Sequence, residues 1–232
     1  MVNLKETQHL FFDLDDTLWD FQKNSSKVIT ELFNEFDLTE KLNTNFETFH
    51  ETYKKVNNQL WSKYYKKEID KAFLRNHRFN EAFKMFGYDN YQENLSITEE
   101  YVNRSPKGTI LKEGCIEVLT YLKQKYHLHI ITNGFREVQF IKLKGSGIKD
   151  FFSQIIISED HDLTKPDEKI FRLAEKFAST HREHCVMIGD KLESDISGAN
   201  NAGWEAIYFT EKKDENYSGK QIESLMELKG LF

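Results

Sequence analysis

Short apolar runs recur along the chain, and helical patterns separate the later ones. The runs are rich in β-branched and aromatic residues and are too short to form buried helices. They lie at residues 10–12, 128–131, 155–157, 186–188 and 206–209. Alternation of strand and helix predicts a parallel sheet covered by helices on both faces. We therefore expect a Rossmann-like α/β/α core of three layers.

The alternation breaks between Leu18 and Pro106, where no convincing strand pattern occurs. Apolar residues there recur at spacings of three and four, as on the buried face of an amphipathic helix. The apolar stripes lie within residues 28–36, 46–64 and 69–86. We therefore predict a helical domain inserted after the first strand. The predicted boundaries are 18–107 for the helical domain and 1–17 with 108–232 for the α/β core.

Composition and charge narrow the class of protein. Hydrophobic residues make up 39% of the 232 residues, which is enough for a core and excludes wholesale disorder. A net charge of −6 disfavours a nucleic-acid polymer as partner. No apolar run approaches the roughly 18 residues of a membrane helix. Two distant cysteines and a polar amino terminus without an export signal predict a cytoplasmic protein.

Acidic residues follow the first predicted strand, at the end where ligands bind in open α/β sheets. Asp13, Asp15 and Asp16 place three acids within four positions. Residues two apart in an extended backbone point the same way, so the carboxylates of Asp13 and Asp15 repel unless a cation lies among them or their pKa values separate. For these residues alone, a solvated acidic turn is an equally good interpretation.

Polar residues at three further positions favour a ligand site over an acidic turn. Thr132 and Asn133 end the second predicted strand and offer a hydroxyl and an amide that can hold an anion before a helix. Lys165 precedes a proline whose place at a first helical turn explains the proline but not the lysine. Asp190 ends a later strand, and Asp195 follows five residues on.

In this order the four sites resemble the motifs of the haloacid dehalogenase superfamily of phosphotransferases: DxDxT, Ser/Thr, Lys and an acidic GDxxxD-type cluster. The resemblance covers residues 8–18 and 108–209. It implies that Asp13 attacks phosphorus and forms an aspartyl-phosphate. It also implies that Asp15 protonates the leaving oxygen and later takes a proton from water.

The resemblance implies roles for the other motif residues as well. Thr132 and the Asn133 amide would bind phosphoryl oxygens, and Lys165 would offset the negative charge of nucleophile and substrate. Mg²⁺ is the implied cofactor. Its implied ligands are Asp13, the backbone carbonyl of Asp15, Asp190 and, directly or through water, Asp195.

The additional acids distinguish between the reactions of this superfamily. Displacement of halide from carbon needs neither a metal ion nor an acid for the leaving group, so Asp15, Asp190 and Asp195 would then only repel one another. We therefore predict phosphoryl transfer. A catalytically idle binding module with the same fold is an alternative, because a fold does not establish activity. The intact motif set favours an enzyme.

The expected substrate is a small phosphate monoester. The inserted helices resemble a cap domain, and residues 13–19, 131–137, 156–159 and 165–171 are most similar to the pyrimidine 5′-nucleotidase-like branch. This predicts a nucleoside 5′-monophosphate; hydrolysis of phosphoglycolate or sugar phosphates, or a phosphomutase reaction, are the alternatives. Trp19 and Phe21 either border the nucleobase or pack internally. We expect no nucleic-acid polymer and no membrane as partner, and the sequence leaves the oligomeric state open.

Overall fold

A six-stranded sheet forms the centre of one of the two compact units of the chain. The computed structural model describes Leu4 and residues 6–232. Residues 1–3 and 5, part of the segment in which we expect no export signal, lie outside the described residues. All neighbouring strands are parallel. The strands are β1 His9–Phe12, β2 His127–Thr132, β3 Gln154–Ile157, β4 Cys185–Gly189, β5 Glu205–Phe209 and β6 Gln221–Ile222.

The strand order is β3-β2-β1-β4-β5-β6, which confirms the predicted parallel α/β fold. The chain builds outwards from β1 through β2 and β3, then returns to place β4 on the other side of β1. In open sheets of this kind, ligands bind outside the carboxyl ends of the strands where the order reverses. The fold therefore predicts a ligand site at the carboxyl ends of β1 and β4.

Burial on both faces of the sheet explains why its strands are continuous apolar runs. All residues of β1 are buried, and its side chains alternate between the faces. Leu10 and Phe12 belong to one hydrophobic cluster, and Phe11 to another. The central strand is therefore held by apolar contacts from above and below as well as by two hydrogen-bonded neighbours.

Ten α-helices accompany the sheet within the described part of the chain. No helix within the described residues has both the length and the apolar character needed to cross a bilayer. A single π-helical turn, Leu192–Ile196, follows β4. The helices are α1 Phe21–Glu35, α2 Leu38–Leu42, α3 Phe46–Tyr65, α4 Lys71–Lys84, α5 Tyr91–Arg104, α6 Cys115–Leu122, α7 Arg136–Gly145, α8 Glu168–Ala178, α9 Ser197–Asn201 and α10 Leu228–Leu231.

The second unit, Gln22–Gly108, is helical, as its apolar stripes predict. Three of its helices, α3, α4 and α5, are each preceded by a residue whose side chain accepts a hydrogen bond from a backbone N–H in the first turn. These residues are Asn45, Asp70 and Asn90. Phe49, Phe79 and Phe83 are wholly buried in this unit and in ring contact with one another or with Tyr53.

The first unit contains the chain up to Phe21 together with Thr109–Phe232. Trp19 forms bridges with Asp15 and Leu111, so the residues just after the first strand belong to the same unit as the sheet. The sequence pattern places the boundary earlier, between residues 17 and 18, because the alternation of strand and helix stops there.

Four histidines lie close together at the amino-terminal edge of the sheet. His9 on β1 faces His127 in the strand register, and its Nδ1 lies 3.0 Å from Nε2 of His129. His129 is 2% exposed and stacks on Phe11. Burial, with the charges of His9 and His127, lowers the pKa of His129 to about 3. The pKa of His9 is lowered by burial and by His127 and His184. The folded protein therefore holds both rings in the neutral form.

Acid should destabilise the sheet unit through these rings. An unfolded histidine binds a proton below its ordinary pKa of about 6.5, whereas His129 does not until about pH 3. The free energy of unfolding should thus decrease as the pH is lowered from about 6.5 towards 3, by up to about 1.4 kcal/mol per pH unit for each such ring. Replacement His129→Phe retains the ring stack and should make that slope shallower in denaturant titrations between pH 6.5 and 4.5. The exposed His181→Gln variant is the control, and an unchanged slope in His129→Phe would contradict this account.

Candidate active site

Three strand ends bring their polar residues together because β1 lies between β2 and β4. Asp13 follows β1, and its backbone N–H donates to the Ile188 carbonyl on β4 at 2.9 Å. Thr132 is the last residue of β2. Asp190 follows β4 directly. Residues far apart in sequence therefore meet at the carboxyl edge of the sheet, where the order reverses.

Three carboxylates form a tight group at this edge. Asp13, Asp190 and Asp195 each contribute an oxygen, and these oxygens lie within 4.8 Å of one another. It is the one such acidic or histidine group found among the described residues. The side chain of Asp15 lies outside this group, so a metal contact through its backbone carbonyl stays a prediction. Three like charges this close repel strongly in a buried setting.

Burial and mutual repulsion raise the pKa values of two members of the group. The pKa of Asp190 is raised to about 8 by burial and then by the charges of Asp13 and Asp195. The pKa of Asp13 is raised to about 6 by burial, against the lowering effect of Lys165. Without a cation, Asp190 therefore retains its proton at neutral pH. Carboxylate oxygens in this number and spacing fit a hard divalent cation, which would favour their ionised forms.

The ammonium group of Lys165 is in contact with two of these carboxylates. Its Nζ lies 2.6 Å from Oδ1 of Asp13 and 2.8 Å from Oδ1 of Asp195, and it donates to the Ile131 carbonyl at 2.7 Å. Burial by itself would lower the lysine pKa, but the charges of Asp13 and Asp195 outweigh burial and hold it above its ordinary value. Lys165 is thus a fixed positive charge beside the side chain of Asp13.

The loop that carries Lys165 is held by the side chain of Asn133. The Asn133 Oδ1 accepts from the backbone N–H of Lys165 at 2.9 Å, and Nδ2 donates to the Lys165 carbonyl at 3.0 Å. Ser158 donates to the same Oδ1 at 2.6 Å and fixes the asparagine in turn. The side chain of Asn133 is therefore used for structure. Its expected role towards a phosphoryl group rests on its backbone amide.

The Thr132 hydroxyl can donate a hydrogen bond to a ligand. Its Oγ1 accepts hydrogen bonds from Nε2 of Gln139 at 2.7 Å and from the Gly134 N–H at 3.2 Å. A hydroxyl has two acceptor positions and one proton, so occupation of both positions leaves the proton for another acceptor. An anion at this strand end is the kind of group that this proton can bind.

A glycine at the end of β4 permits the approach of Asp195. A Cβ atom at Gly189 would lie 2.3 Å from Oδ2 of Asp195, far inside van der Waals contact. Asp195 is 1% exposed, and its Oδ2 accepts from the Lys191 N–H at 3.0 Å. The Thr17 hydroxyl donates to Asp190 at 3.1 Å and so links the first motif to the last. The glycine of the GD pair therefore has a steric function.

Two residues that the sequence analysis missed hold the carboxylate of Asp15. Nζ of Lys142 lies 2.5 Å from its Oδ1, and Nε2 of Gln139 lies 2.9 Å from its Oδ2. Both residues are on α7, three positions apart and thus on one face of the helix. In the sequence Lys142 resembles an ordinary exposed lysine near a helix end. Its place within the apolar stripe that includes Leu143 was the available signal.

The structure favours internal packing for Trp19 and Phe21, one of the two interpretations that the sequence allows. The indole of Trp19 is wholly buried within the hydrophobic cluster of the sheet, so none of its surface is open to a ligand. Phe21 is partly buried and packs against the same cluster. The ammonium group of Lys142 lies 4.5 Å from the ring centroid of Trp19 and 5.6 Å from that of Phe21. Both aromatic residues therefore support Lys142 by cation–π contact.

Comparison with known proteins identifies the family. The model of haloacid dehalogenase-like hydrolases matches residues 7–203, which include all of the motif residues at this sheet edge. The chain belongs to this family of hydrolases. Its fold and its phosphatase relatives agree with the predicted hydrolysis of phosphoric monoesters.

Individual haloacid dehalogenase-like hydrolases resemble the chain over most of its length. It is 30% identical over 214 residues to the pyrimidine 5′-nucleotidase PynA of Streptococcus pneumoniae, covering 91% of this chain and 87% of that protein. It is 29% identical to a glyceraldehyde 3-phosphate phosphatase of Pyrococcus furiosus, with 89% and 82% covered. The magnesium-bound HAD-hydrolase YfnB of Bacillus subtilis has a similar structure, with a TM-score of 0.87, 28% identity and coverage of 98% and 99%.

The carboxylate group should make the stability of the protein depend on divalent cations. A cation that binds the folded state alone adds about 2.7 kcal/mol to the free energy of unfolding at 100 times its dissociation constant. Thermal unfolding in MgCl₂ should therefore occur at a higher Tm than in EDTA, and Asp190→Asn should reduce this difference. Asp150→Asn, which changes a carboxylate whose side chain is 98% exposed, should retain it. An equal shift in Asp190→Asn and the parent would count against a cation site here.

Proposed function

We propose that the protein is a Mg²⁺-dependent phosphatase that hydrolyses a small phosphate monoester through an aspartyl-phosphate. The observation that carries this proposal is the convergence of Asp13, Asp190 and Asp195 within 4.8 Å, with Lys165 in contact with two of them. A nucleophile for phosphorus needs a neighbouring positive charge, because phosphate and carboxylate repel each other.

In the first step, the Asp13 carboxylate attacks phosphorus in line with the ester oxygen. A bond forms between the carboxylate oxygen and phosphorus while the bond from phosphorus to the ester oxygen breaks. Asp15, as the carboxylic acid, gives its proton to the departing oxygen, so the product leaves as a neutral alcohol. The Thr132 hydroxyl and the Asn133 amide donate hydrogen bonds to phosphoryl oxygens.

In the second step, water attacks the phosphorus of the aspartyl-phosphate. Asp15, now a carboxylate, takes a proton from this water as the new oxygen–phosphorus bond forms. The bond between Asp13 and phosphorus breaks, which releases inorganic phosphate and regenerates the free carboxylate. Lys165 remains charged throughout and offsets negative charge near Asp13.

The residues that would hold Mg²⁺ are Asp13, Asp190, Asp195 and the backbone carbonyl of Asp15. When bound there, the ion offers positive charge to the phosphoryl oxygens and to the nucleophile. The raised pKa values of Asp13 and Asp190 support this assignment, because a cation is what both carboxylates need in order to be ionised together at neutral pH.

For the substrate, we propose a pyrimidine nucleoside 5′-monophosphate. Similarity to PynA over 91% of the chain supports this choice. Similarity to a glyceraldehyde 3-phosphate phosphatase supports a sugar phosphate as the second candidate.

The two buried free thiols, Cys115 and Cys185, are consistent with the reducing conditions of a cytoplasmic location.

Replacement of the nucleophile tests the mechanism. Asp13→Asn retains the shape of the side chain but removes the nucleophilic oxygen pair, so phosphate release in MgCl₂ should fall by at least ~10³-fold. Asp150→Asn is the control: it makes the same change at an acid that has no part in the mechanism and whose side chain is 98% exposed. Parent-like activity in Asp13→Asn would exclude the aspartyl-phosphate route.

A substrate panel tests the choice of leaving group. The value of kcat/KM should be highest for dUMP or dTMP and lower for dAMP, phosphoglycolate, glyceraldehyde 3-phosphate and hexose phosphates, measured as released phosphate. A preference for glyceraldehyde 3-phosphate would favour the second candidate. Equal values across the panel would leave the nucleotidase proposal without support while retaining the phosphatase.

A further inference from the structure

Both oxygens of the Asp15 carboxylate have a partner on α7. Oδ1 lies 2.5 Å from the ammonium group of Lys142, and Oδ2 accepts from the amide of Gln139 at 2.9 Å. A carboxylate held at both oxygens cannot rotate about its terminal torsion without losing a hydrogen bond. The two contacts therefore set the plane of the Asp15 side chain.

Lys142 is an unusual lysine for the end of a helix. It is 4% exposed, whereas lysines are seldom buried without a partner for their charge. The partners here are the Asp15 carboxylate and the ring faces of Trp19 and Phe21. Because Trp19 also forms a backbone bridge with Asp15, the loop after β1 supplies both the carboxylate and a surface that holds its cation.

Gln139 connects Asp15 to the residue that we assign to phosphoryl binding. Its Nε2 donates one proton to Oδ2 of Asp15 and the other to Oγ1 of Thr132 at 2.7 Å. The side chain is wholly buried, and its Oε1 has no hydrogen-bond partner among the described residues. A buried, unpaired oxygen is unfavourable. The fold tolerates the unpaired oxygen of Gln139, because the two N–H groups of the same side chain fix the distance between Asp15 and Thr132.

We propose that Lys142 and Gln139 are positioning residues that hold Asp15 in place for proton transfer to the leaving oxygen. This inference rests on the function proposed above, in which Asp15 donates that proton. Lys142 acts on the orientation of the carboxylate, and Gln139 acts on its distance from the phosphoryl position. Trp19 and Phe21 act one step further away, by holding the ammonium group of Lys142.

The leaving group of the ester provides the test. A p-nitrophenolate departs without a proton, whereas the alcohol of a nucleoside monophosphate needs one. The value of kcat/KM reports the steps up to the first phosphoryl transfer, so it isolates proton donation from the later attack of water. We compare dUMP with p-nitrophenyl phosphate in the full-length parent and in Lys142→Met, Lys142→Arg, Gln139→Leu and Asp15→Asn.

The expected result is a selective loss. Lys142→Met should lower kcat/KM for dUMP by ~10²-fold or more and that for p-nitrophenyl phosphate by less than ~10-fold, since general acid catalysis typically contributes 10²–10⁴-fold. Lys142→Arg should recover part of the loss, because it retains the positive charge. Lys144→Met, a change at an exposed lysine on the same helix, should leave both values unchanged.

Equal losses on the two esters in Lys142→Met would indicate a merely structural effect and overturn the proposal, as would no loss on either. If Lys142→Met does not fold, the same comparison in Gln139→Leu decides: loss confined to dUMP supports the proposal, and loss on both or neither overturns it. Asp15→Asn separates this from the proposed function. Without selective loss in Asp15→Asn, Asp15 is not the proton donor, and the mechanism fails whatever the α7 variants do.

Discussion

The site depends on one buried lysine. The ammonium group of Lys165 is surrounded by the carboxylates of Asp13 and Asp195 and the carbonyl of Ile131. A buried charge is tolerated only where partners replace its water, and loss of one partner leaves the other charge exposed to a low dielectric. The strands that carry these groups must therefore end at the same place. The arrangement of the loops follows from this requirement.

Sheet topology and local sterics meet that requirement together. The reversal of strand order puts the ends of β1 and β4 side by side, and Asn133 holds the Lys165 loop by both its backbone N–H and its carbonyl. At Gly189, the absence of a side chain leaves the room that Asp195 occupies. An asparagine in a loop or a glycine after a strand is common in proteins of many functions. The site is specified only by the combination of these contacts.

The fold, and the meeting of the motif residues at one edge of the sheet, could be predicted from the sequence because both depend on local signals. Apolar runs of strand length, separated by helical stripes, are visible without any knowledge of contacts, and motif residues stand where those runs end. Contacts between distant segments are not visible in this way. The apolar stripe of Leu143 is a weak sign that Lys142 is buried, but the chain around it does not reveal its partners, Asp15 and Trp19, which lie more than 120 positions earlier. The choice between the two interpretations of Trp19 stayed open for the same reason.

The hydrogen bonds of Gln139 have a consequence for how such an enzyme can diversify. One amide group serves both the carboxylate of Asp15 and the hydroxyl of Thr132, and a side chain at Gly134 would lie 2.1 Å from it. An inherited change at any of these positions would disturb acid and anion contacts at once. New specificities are therefore more accessible through substitutions elsewhere in the chain, which leave the contacts of this amide intact.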